Sequence, residues 1–440
     1  MLFPALAPLL LASTLPLVQD WPQYRGPDGT GVAPAAEVPM QWSATENLAW
    51  KVALPGQGWS QPVVVGGTVY VTTAVGEGLE PVLGMEAGIA DPRTNAAGKV
   101  PDVTLDWRVI ALDLATGKER WSASAAKGKP QYPIHPSNTW ASETPVAHAG
   151  GVVAFFGATG TLAAFDPAGK PLWKAELGAH PVANGFGTGA SPAIHAGKVF
   201  VQCFNDDAAF LVAFDAKSGK ELWRVQHPEP GTSWASPLTW HTGQRVELVA
   251  SRDKLLTSHD PASGKELWRI VGVTGPSMCS FAADPERLYF GQRSPMGSPP
   301  LYALAAGGAG DLSPAKGSAD VKGQAWAMKN ASPSMSTPVA AEGLFYLVNE
   351  NLLTCRDAAS GEELYEERLE GLVTVAASPL VVGGHVLLLD EEGEAVLVPL
   401  GPEFEIAGRG KLDDLFWATP AVAGDALLLR GVAGLYCVRK

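Results

Sequence analysis

The feature that most restricts the fold of this chain is an internal repeat. The run Ala111-Leu112-Asp113-Leu114-Ala115-Thr116-Gly117-Lys118-Glu119-Arg120-Trp121 returns with small changes twice. One copy passes from Ala213 through Asp215 and Gly219 to Trp223, the other from Ser258 through Asp260 and Gly264 to Trp268. A shortened copy holds Asp166, Gly169 and Trp173, and a decayed one passes from Cys355 through Asp357 and Gly361 to Tyr365. The residue types fit a tight turn between strands. Asp accepts hydrogen bonds from turn amides, Gly supplies a positive φ, and Trp offers a wide face for burial against a neighbouring unit.

The first half of each unit is a small residue, a proline and two apolar runs split by a turn. Examples are Gln61-Pro62-Val63-Val64-Val65-Gly66-Gly67-Thr68-Val69-Tyr70-Val71 and Ser378-Pro379-Leu380-Val381-Val382-Gly383-Gly384-His385-Val386. Such runs read as hairpins. The marker prolines are Pro62, Pro145, Pro192, Pro237, Pro338, Pro379 and Pro420, 41 to 47 residues apart wherever no insertion or degenerate copy intervenes. That spacing suits one four-stranded propeller blade. A proline-free copy near Cys279–Gly291 makes an eighth unit, and insertions lie at 75–107 and 295–323.

One such unit cannot cover both of its faces, so the units must stack around an axis. The last unit ends at Lys440 without a Trp-bearing outer strand, while Leu48-Ala49-Trp50-Lys51-Val52-Ala53-Leu54 precedes the first unit. The expectation is an all-β chain: a single eight-bladed β-propeller with four-stranded blades over residues 19–440, closed by that N-terminal strand completing the last blade.

Composition agrees with a large folded core. Of 440 residues, 46% are hydrophobic and 18% charged, too apolar for a disordered chain. The net charge of −13 excludes nucleic acid as a partner, because phosphate neutralisation needs a surplus of Lys and Arg. No segment has the apolar length of a transmembrane helix. Residues 1–18 resemble a secretory signal peptide, so the protein is expected to be exported, periplasmic or extracellular, and monomeric. Cys203, Cys279, Cys355 and Cys437 show no metal-ligand spacing. Cys355 and Cys437 occupy the small-residue position before the motif Asp and are expected to be buried thiols.

The A-x-D-x-x-[TS]-G-x-x-x-W copies resemble the tryptophan-docking motif of the pyrroloquinoline-quinone (PQQ) quinoprotein superfamily, from about Trp42 to Lys440. The opening Asp20-Trp21-Pro22-Gln23-Tyr24-Arg25-Gly26-Pro27 resembles the start of secreted bacterial PQQ-like repeat proteins. The resemblance implies Asp113, Gly117, Trp121, Asp166, Gly169, Trp173, Asp215, Gly219, Trp223, Asp260, Gly264 and Trp268 as docking residues. The superfamily contains methanol and glucose dehydrogenases as well as non-enzymatic scaffolds of the BamB type. The chain departs from both. It lacks the vicinal cysteines of several dehydrogenases, a mappable calcium-and-base constellation, and a lipobox cysteine.

Candidate binding residues lie next to the marker prolines. Trp59, Trp140, Trp234 and Trp417 each precede one, on the strand expected to line the axis, and offer a stacking platform. The competing reading packs these indoles between blades. His135 and Asn138 sit in the polar connection 132–140; His135 reads as a base, a ligand or a solvated loop residue. Asp206-Asp207 and Asp390-Glu391-Glu392-Gly393-Glu394 match no EF-hand loop, and no metal site is assigned. No P-loop, G-x-S-x-G or H-E-x-x-H motif is present. Two functions remain. One is a non-catalytic scaffold or small-ligand binder, with no cofactor and a protein partner or ligand at the mouth of the ring. The other is a PQQ- and Ca²⁺-dependent dehydrogenase acting on alcohols or aldose sugars.

Overall fold

A computed structural model describes residues 19–91, 100–273, 275, 277–292 and 300–440. The proposed leader at 1–18 lies outside them, as do residues 92–99 of the first insertion and 295–299 of the second. Among the described residues the regular secondary structure is β-strand, apart from a short helix at Met85–Ala90 and one 3₁₀ turn at Ala183–Gly185. No helix among them is long and apolar enough to cross a membrane.

The strands form antiparallel blades around an axis. The first blade holds Val63–Val65, Thr68–Val75, Leu105–Asp113 and Glu119–Gly128, hydrogen-bonded in that order. Six more blades are laid down in chain order in the same way, their first strands at Val146–His148, Ala193–His195, Leu238–His241, Ala282–Ala283, Val339–Ala341 and Leu380–Val382. The remaining sheet is composite. Ala421–Ala423, Ala426–Arg430 and Leu435–Val438 take Leu48–Val52 as their outer strand, with Trp50 opposite Cys437.

The expected count of eight blades is corrected: seven blades are each continuous in the chain, while the expected closure by the N-terminal strand Leu48–Val52 is found in the composite sheet. The blades are also unequal. The one at 238–271 gains a fifth strand, Gly310–Asp311, and the one at 380–411 gains Val32–Ala33 and Gln41–Trp42. All three additions are parallel pairings. The reason is local: an edge strand leaves N–H and C=O groups unpaired, and nearby chain satisfies them.

The repeat motif acts between blades. In the first blade Asp113 Oδ1 accepts the Thr116 N–H at 2.9 Å and its hydroxyl at 2.8 Å, and Gly117 has φ +68°. A register shift falls at the same place before the Asp in the copies at 111, 164, 213, 258 and 355, a bulge that turns the chain into the motif. The indole Nε1 of Trp121 donates to Pro167 O at 2.9 Å, that of Trp173 to Ala216 O at 3.0 Å, and that of Trp223 to Pro261 O at 3.2 Å. Each ring lies on the motif glycine of the following blade. A Cβ added at Gly169, Gly219 or Gly264 would stand 2.4–2.7 Å from it. Trp268 departs from this scheme: its Nε1 donates to the buried Glu247 carboxylate at 2.6 Å, and its blade edge is covered by Gly310–Asp311. The four cysteines are buried and unpaired.

Candidate ligand-binding cup on the axis

Side chains alternate along an extended strand. On the segments that lead into the innermost strands, the residue before the marker proline and the residue two earlier face the axis. Together they line a funnel with a cavity volume of about 130 Å³, open to solvent at one end. The outer tier holds Trp59, Trp234, Trp417, Met278 and Met335, with Ser142, Gly189 and Ala376 completing it. Trp59 and Trp417 stack at 6.2 Å between centroids and 17° between planes. Their Nε1 atoms are committed, that of Trp59 to Ser137 O at 2.9 Å and that of Trp417 to Glu391 Oε2 at 3.0 Å. Trp234 Nε1 donates to Gly187 O at 2.7 Å. The three indoles thus present apolar surface to the funnel.

The inner tier is a ring of hydroxyls. The backbone N–H of Gln61 donates to Thr144 Oγ1, that of Thr144 to Ser191 Oγ, and the series continues through Ser236, Ser280, Thr337 and Ser378 to Thr419. It comprises seven bonds of 2.8–3.1 Å, each crossing to the next blade. Gln61 stands where the circle would close. Its Oε1 accepts the Arg25 N–H at 2.7 Å and its Nε2 donates to Pro420 O.

The other end of the funnel is plugged by the chain's own start. Trp21 is fully buried and bridges Val64. Pro22 O accepts the Ala147 N–H at 2.7 Å, and Gln23 Oε1 accepts the Ile194 N–H at 2.7 Å. The Tyr24 hydroxyl reaches Ser378 Oγ at 3.0 Å. Arg25 lies behind it with no exposed surface, donating to Thr337 O, Pro338 O, Pro379 O and Thr30 O at 2.7–3.2 Å. Burial lowers its pKa to about 10, which leaves it charged at neutral pH. The segment that opens Asp20-Trp21-Pro22-Gln23-Tyr24-Arg25 thus turns a channel into a cup.

The remaining sequence candidates fall outside the cup wall. Trp140 stands five residues before its proline, where the three lining tryptophans stand three before theirs. It packs in the core, and its carbonyl accepts Trp107 Nε1 at 2.8 Å. That offset was the signal in the sequence separating it from the others. Asn138 is spent on structure. Its Nδ2 donates to Phe186 O at 2.7 Å, and its Oδ1 accepts the Thr139 N–H and the Ser142 hydroxyl at 2.7 and 2.6 Å. His135 is half-buried, with its ring edge on Phe186 and its Nδ1 accepting the Ser137 N–H at 3.1 Å; burial lowers its pKa. The Asp390 carboxylate accepts the N–H groups of Val373, Glu392 and Glu394, as a turn requires. Asp207 pairs with His180 at 2.9 Å. Among the described residues no group of three or more His, Cys, Asp or Glu is placed to hold a metal ion.

Two carboxylates near the cup point elsewhere. Glu143, between the lining residues Ser142 and Thr144, faces the opposite way, into a small cavity between blades. There it accepts the Gly157 N–H at 3.2 Å, and burial pushes its pKa up. Glu391 at the rim holds Trp417 and also accepts the Met85 N–H at 2.8 Å. The described part of the first insertion is fastened across this rim, with Leu83 N donating to Pro136 O and Ser137 Oγ to Gly84 O, both at 3.1 Å.

Among the described residues the wall therefore presents indole, thioether, amide and hydroxyl groups and no carboxylate. Calcium takes six to eight oxygen ligands rich in carboxylate, so the side chains present do not suit a calcium-held quinone with an acidic base.

Comparisons with known proteins agree with this architecture. The chain matches the PQQ-repeat family described as outer membrane protein assembly factor BamB over residues 105–286, 158–321 and 318–400. No curated protein matches it. Among solved structures it is similar to a europium-containing methanol dehydrogenase, at 14% identity and a TM-score of 0.57, covering 94% of this chain and 90% of that one. It is also similar to the quinohemoprotein alcohol dehydrogenase from Comamonas testosteroni, at 13% identity and a TM-score of 0.58, covering 95% and 80%. At such identities the likeness is one of fold. The repeats matched extend over more than half of the sequence, and this chain belongs to the PQQ-repeat, BamB-like family of β-propellers.

Proposed function

We propose that this protein is a non-catalytic, exported binding propeller that takes a small ligand with a flat apolar part into its axial cup. The observation that carries the reading is the blind cup, walled by three indoles and floored by hydroxyls, with no carboxyl, amine or imidazole among the described residues that line it. Such a wall offers stacking and hydrogen bonding and supplies neither a general base nor a cation. The test is titration with PQQ plus Ca²⁺ by calorimetry, with dye-linked oxidation of alcohols and aldoses, and in parallel with the neutral flat probe 2-naphthol. The reading expects one 2-naphthol site per chain, weakened about tenfold by Trp234→Ala, and no turnover. Stoichiometric PQQ binding with turnover overturns it in favour of a dehydrogenase.

A scaffold role draws support from the outer edges. Two blades already accept a parallel strand from their own chain. Among the described residues the edges Pro171–Glu176 and Glu221–Gln226 have no outer neighbour, and they expose Leu172 and Leu222. Such an edge takes an extended partner peptide by strand addition.

A further inference from the structure

We propose that His195 and His241 form a two-histidine site for one divalent transition-metal ion of the Zn²⁺ and Cu²⁺ class, at the plugged end of the ring. The site lies apart from the cup and does not depend on what the cup binds.

It follows from the way two neighbouring blades end their innermost strands. His195 is the last residue of Ala193–His195, and His241 is the last of Leu238–His241. The two imidazole rings lie 5.1 Å apart between centroids, with 74° between their planes. One shared ion needs that spacing. A zinc–imidazole bond is about 2.0–2.1 Å and the ring centre lies about 1.1 Å behind the nitrogen, so two ligating rings at a tetrahedral angle stand about 5.2 Å apart. Neither ring has a hydrogen-bond partner among the described residues. His241 is exposed and His195 half-buried, so solvent ions reach the pair.

The frame around the pair is already built. His195 pairs with Lys198 and His241 with Val246 across their hairpins. The Ile194 N–H is held by Gln23 Oε1 of the plug at 2.7 Å. Ligands carried on paired strands need no loop to be ordered when the ion binds. Imidazole ligates in its neutral form and suits borderline metals. Burial, with the His241 ring and Lys198 adding to it, holds the His195 pKa below the usual imidazole value, so this ring is neutral at neutral pH. Lys198 opposes a cation here, but its charge is shared with Asp260 of the next blade, and the net charge of −13 draws cations to the chain. Among the described residues no third His, Cys, Asp or Glu joins the pair. Water therefore completes the coordination, as at open zinc sites.

His148 supplies the internal comparison. It ends the innermost strand of the preceding blade, Val146–His148, but its Nδ1 accepts the Gly150 N–H at 3.0 Å. Its strand position is the same, and the second imidazole is missing among the described residues.

The test is calorimetry of the full, untagged chain, freed of metal with EDTA, against ZnCl₂, CuCl₂ and CaCl₂. The expected result is one Zn²⁺ per chain, tighter Cu²⁺ and no Ca²⁺ at this pair. His195→Ala and His241→Ala should each weaken Zn²⁺ by more than about tenfold, since loss of even a supporting group brings that much. His148→Ala should leave the affinity unchanged. Electron paramagnetic resonance of the Cu²⁺ form should show two nitrogen ligands in the unaltered chain and at most one in either variant. His241→Gln, at the exposed position, serves if an alanine variant does not fold. Lack of stoichiometric Zn²⁺ and Cu²⁺ binding, or binding that survives both substitutions, overturns the site. The 2-naphthol titration is read separately, so failure here leaves the cup reading standing.

Discussion

Trp50 lies on Gly117: its indole Nε1 donates to Leu114 O at 2.9 Å, and a Cβ at Gly117 would stand 2.7 Å from the ring. Trp50 comes before every continuous blade in the sequence, and Gly117 belongs to the first of them. The contact repeats the blade-to-blade docking of Trp121 on Gly169, and it joins the composite sheet to the first blade. Ring closure thus uses the same device as the steps made by Trp121, Trp173 and Trp223.

Trp50→Ala should accordingly cost as much as an interior docking residue. Removal of a large packed aromatic destabilises by about 3–5 kcal/mol. Thermal unfolding of Trp50→Ala beside Trp121→Ala checks this, with similar losses expected from both. A Trp50→Ala variant as stable as the unaltered protein would show that the ring closes by backbone pairing alone.

The plug makes a separate prediction. Arg25→Met keeps much of the side-chain volume but leaves four carbonyls without their donors. Unpaired buried polar groups cost about 1–3 kcal/mol each before relaxation. Denaturant unfolding should show a loss of several kcal/mol, and Arg25→Lys should recover only part of it, because an ammonium lacks the planar fork.

His227 predicts acid sensitivity. Burial, with His259 and Arg252 adding to it, lowers its pKa from the usual imidazole value to about 4. The neutral form is favoured when folded, so its contribution to stability is full above the unfolded pKa of about 6.5. That contribution is lost as pH falls from there towards 4. The melting temperature of His227→Phe relative to the unaltered protein should therefore rise as pH falls through this window, and a flat difference would contradict it.

Glu143 has the opposite sign. Burial raises its pKa, so the protonated form is favoured when folded. Its contribution is present below the ordinary carboxylate range and is lost as pH rises through the raised folded value. Glu143→Gln should gain stability relative to the unaltered protein as pH rises, read as a widening difference in melting temperature from acid to neutral pH.

Glu391 ties the rim to the insertion through Trp417 and the Met85 N–H. Glu391→Ala should loosen the segment around Met85–Ala90 and speed its cleavage in limited proteolysis, with little change in the rest of the digest. An unchanged cleavage rate would mean that the contacts of Leu83 and Ser137 suffice to hold it.

The sequence by itself determined what is repeated. The Asp, Gly and Trp of each motif act over a few residues and upon the adjoining unit, so the all-β class, the blade-to-blade docking and the buried thiols at Cys355 and Cys437 were legible from spacing. Trp59, Trp234 and Trp417 were singled out in the sequence together with Trp140, but whether they line the axis or pack between blades was left open there. Only the tertiary structure decided what is not repeated. Arg25 and Tyr24 meet Thr337 and Ser378 across more than 300 positions of sequence, and nothing local in Gln23-Tyr24-Arg25 announces a plug. The extra parallel strands at Val32–Ala33, Gln41–Trp42 and Gly310–Asp311 depend on which blade edge lies within reach. The hydroxyl ring depends on closure too. A single Ser or Thr beside a proline is an ordinary small residue until its neighbours are brought around one axis, where each oxygen accepts the N–H of the unit before it.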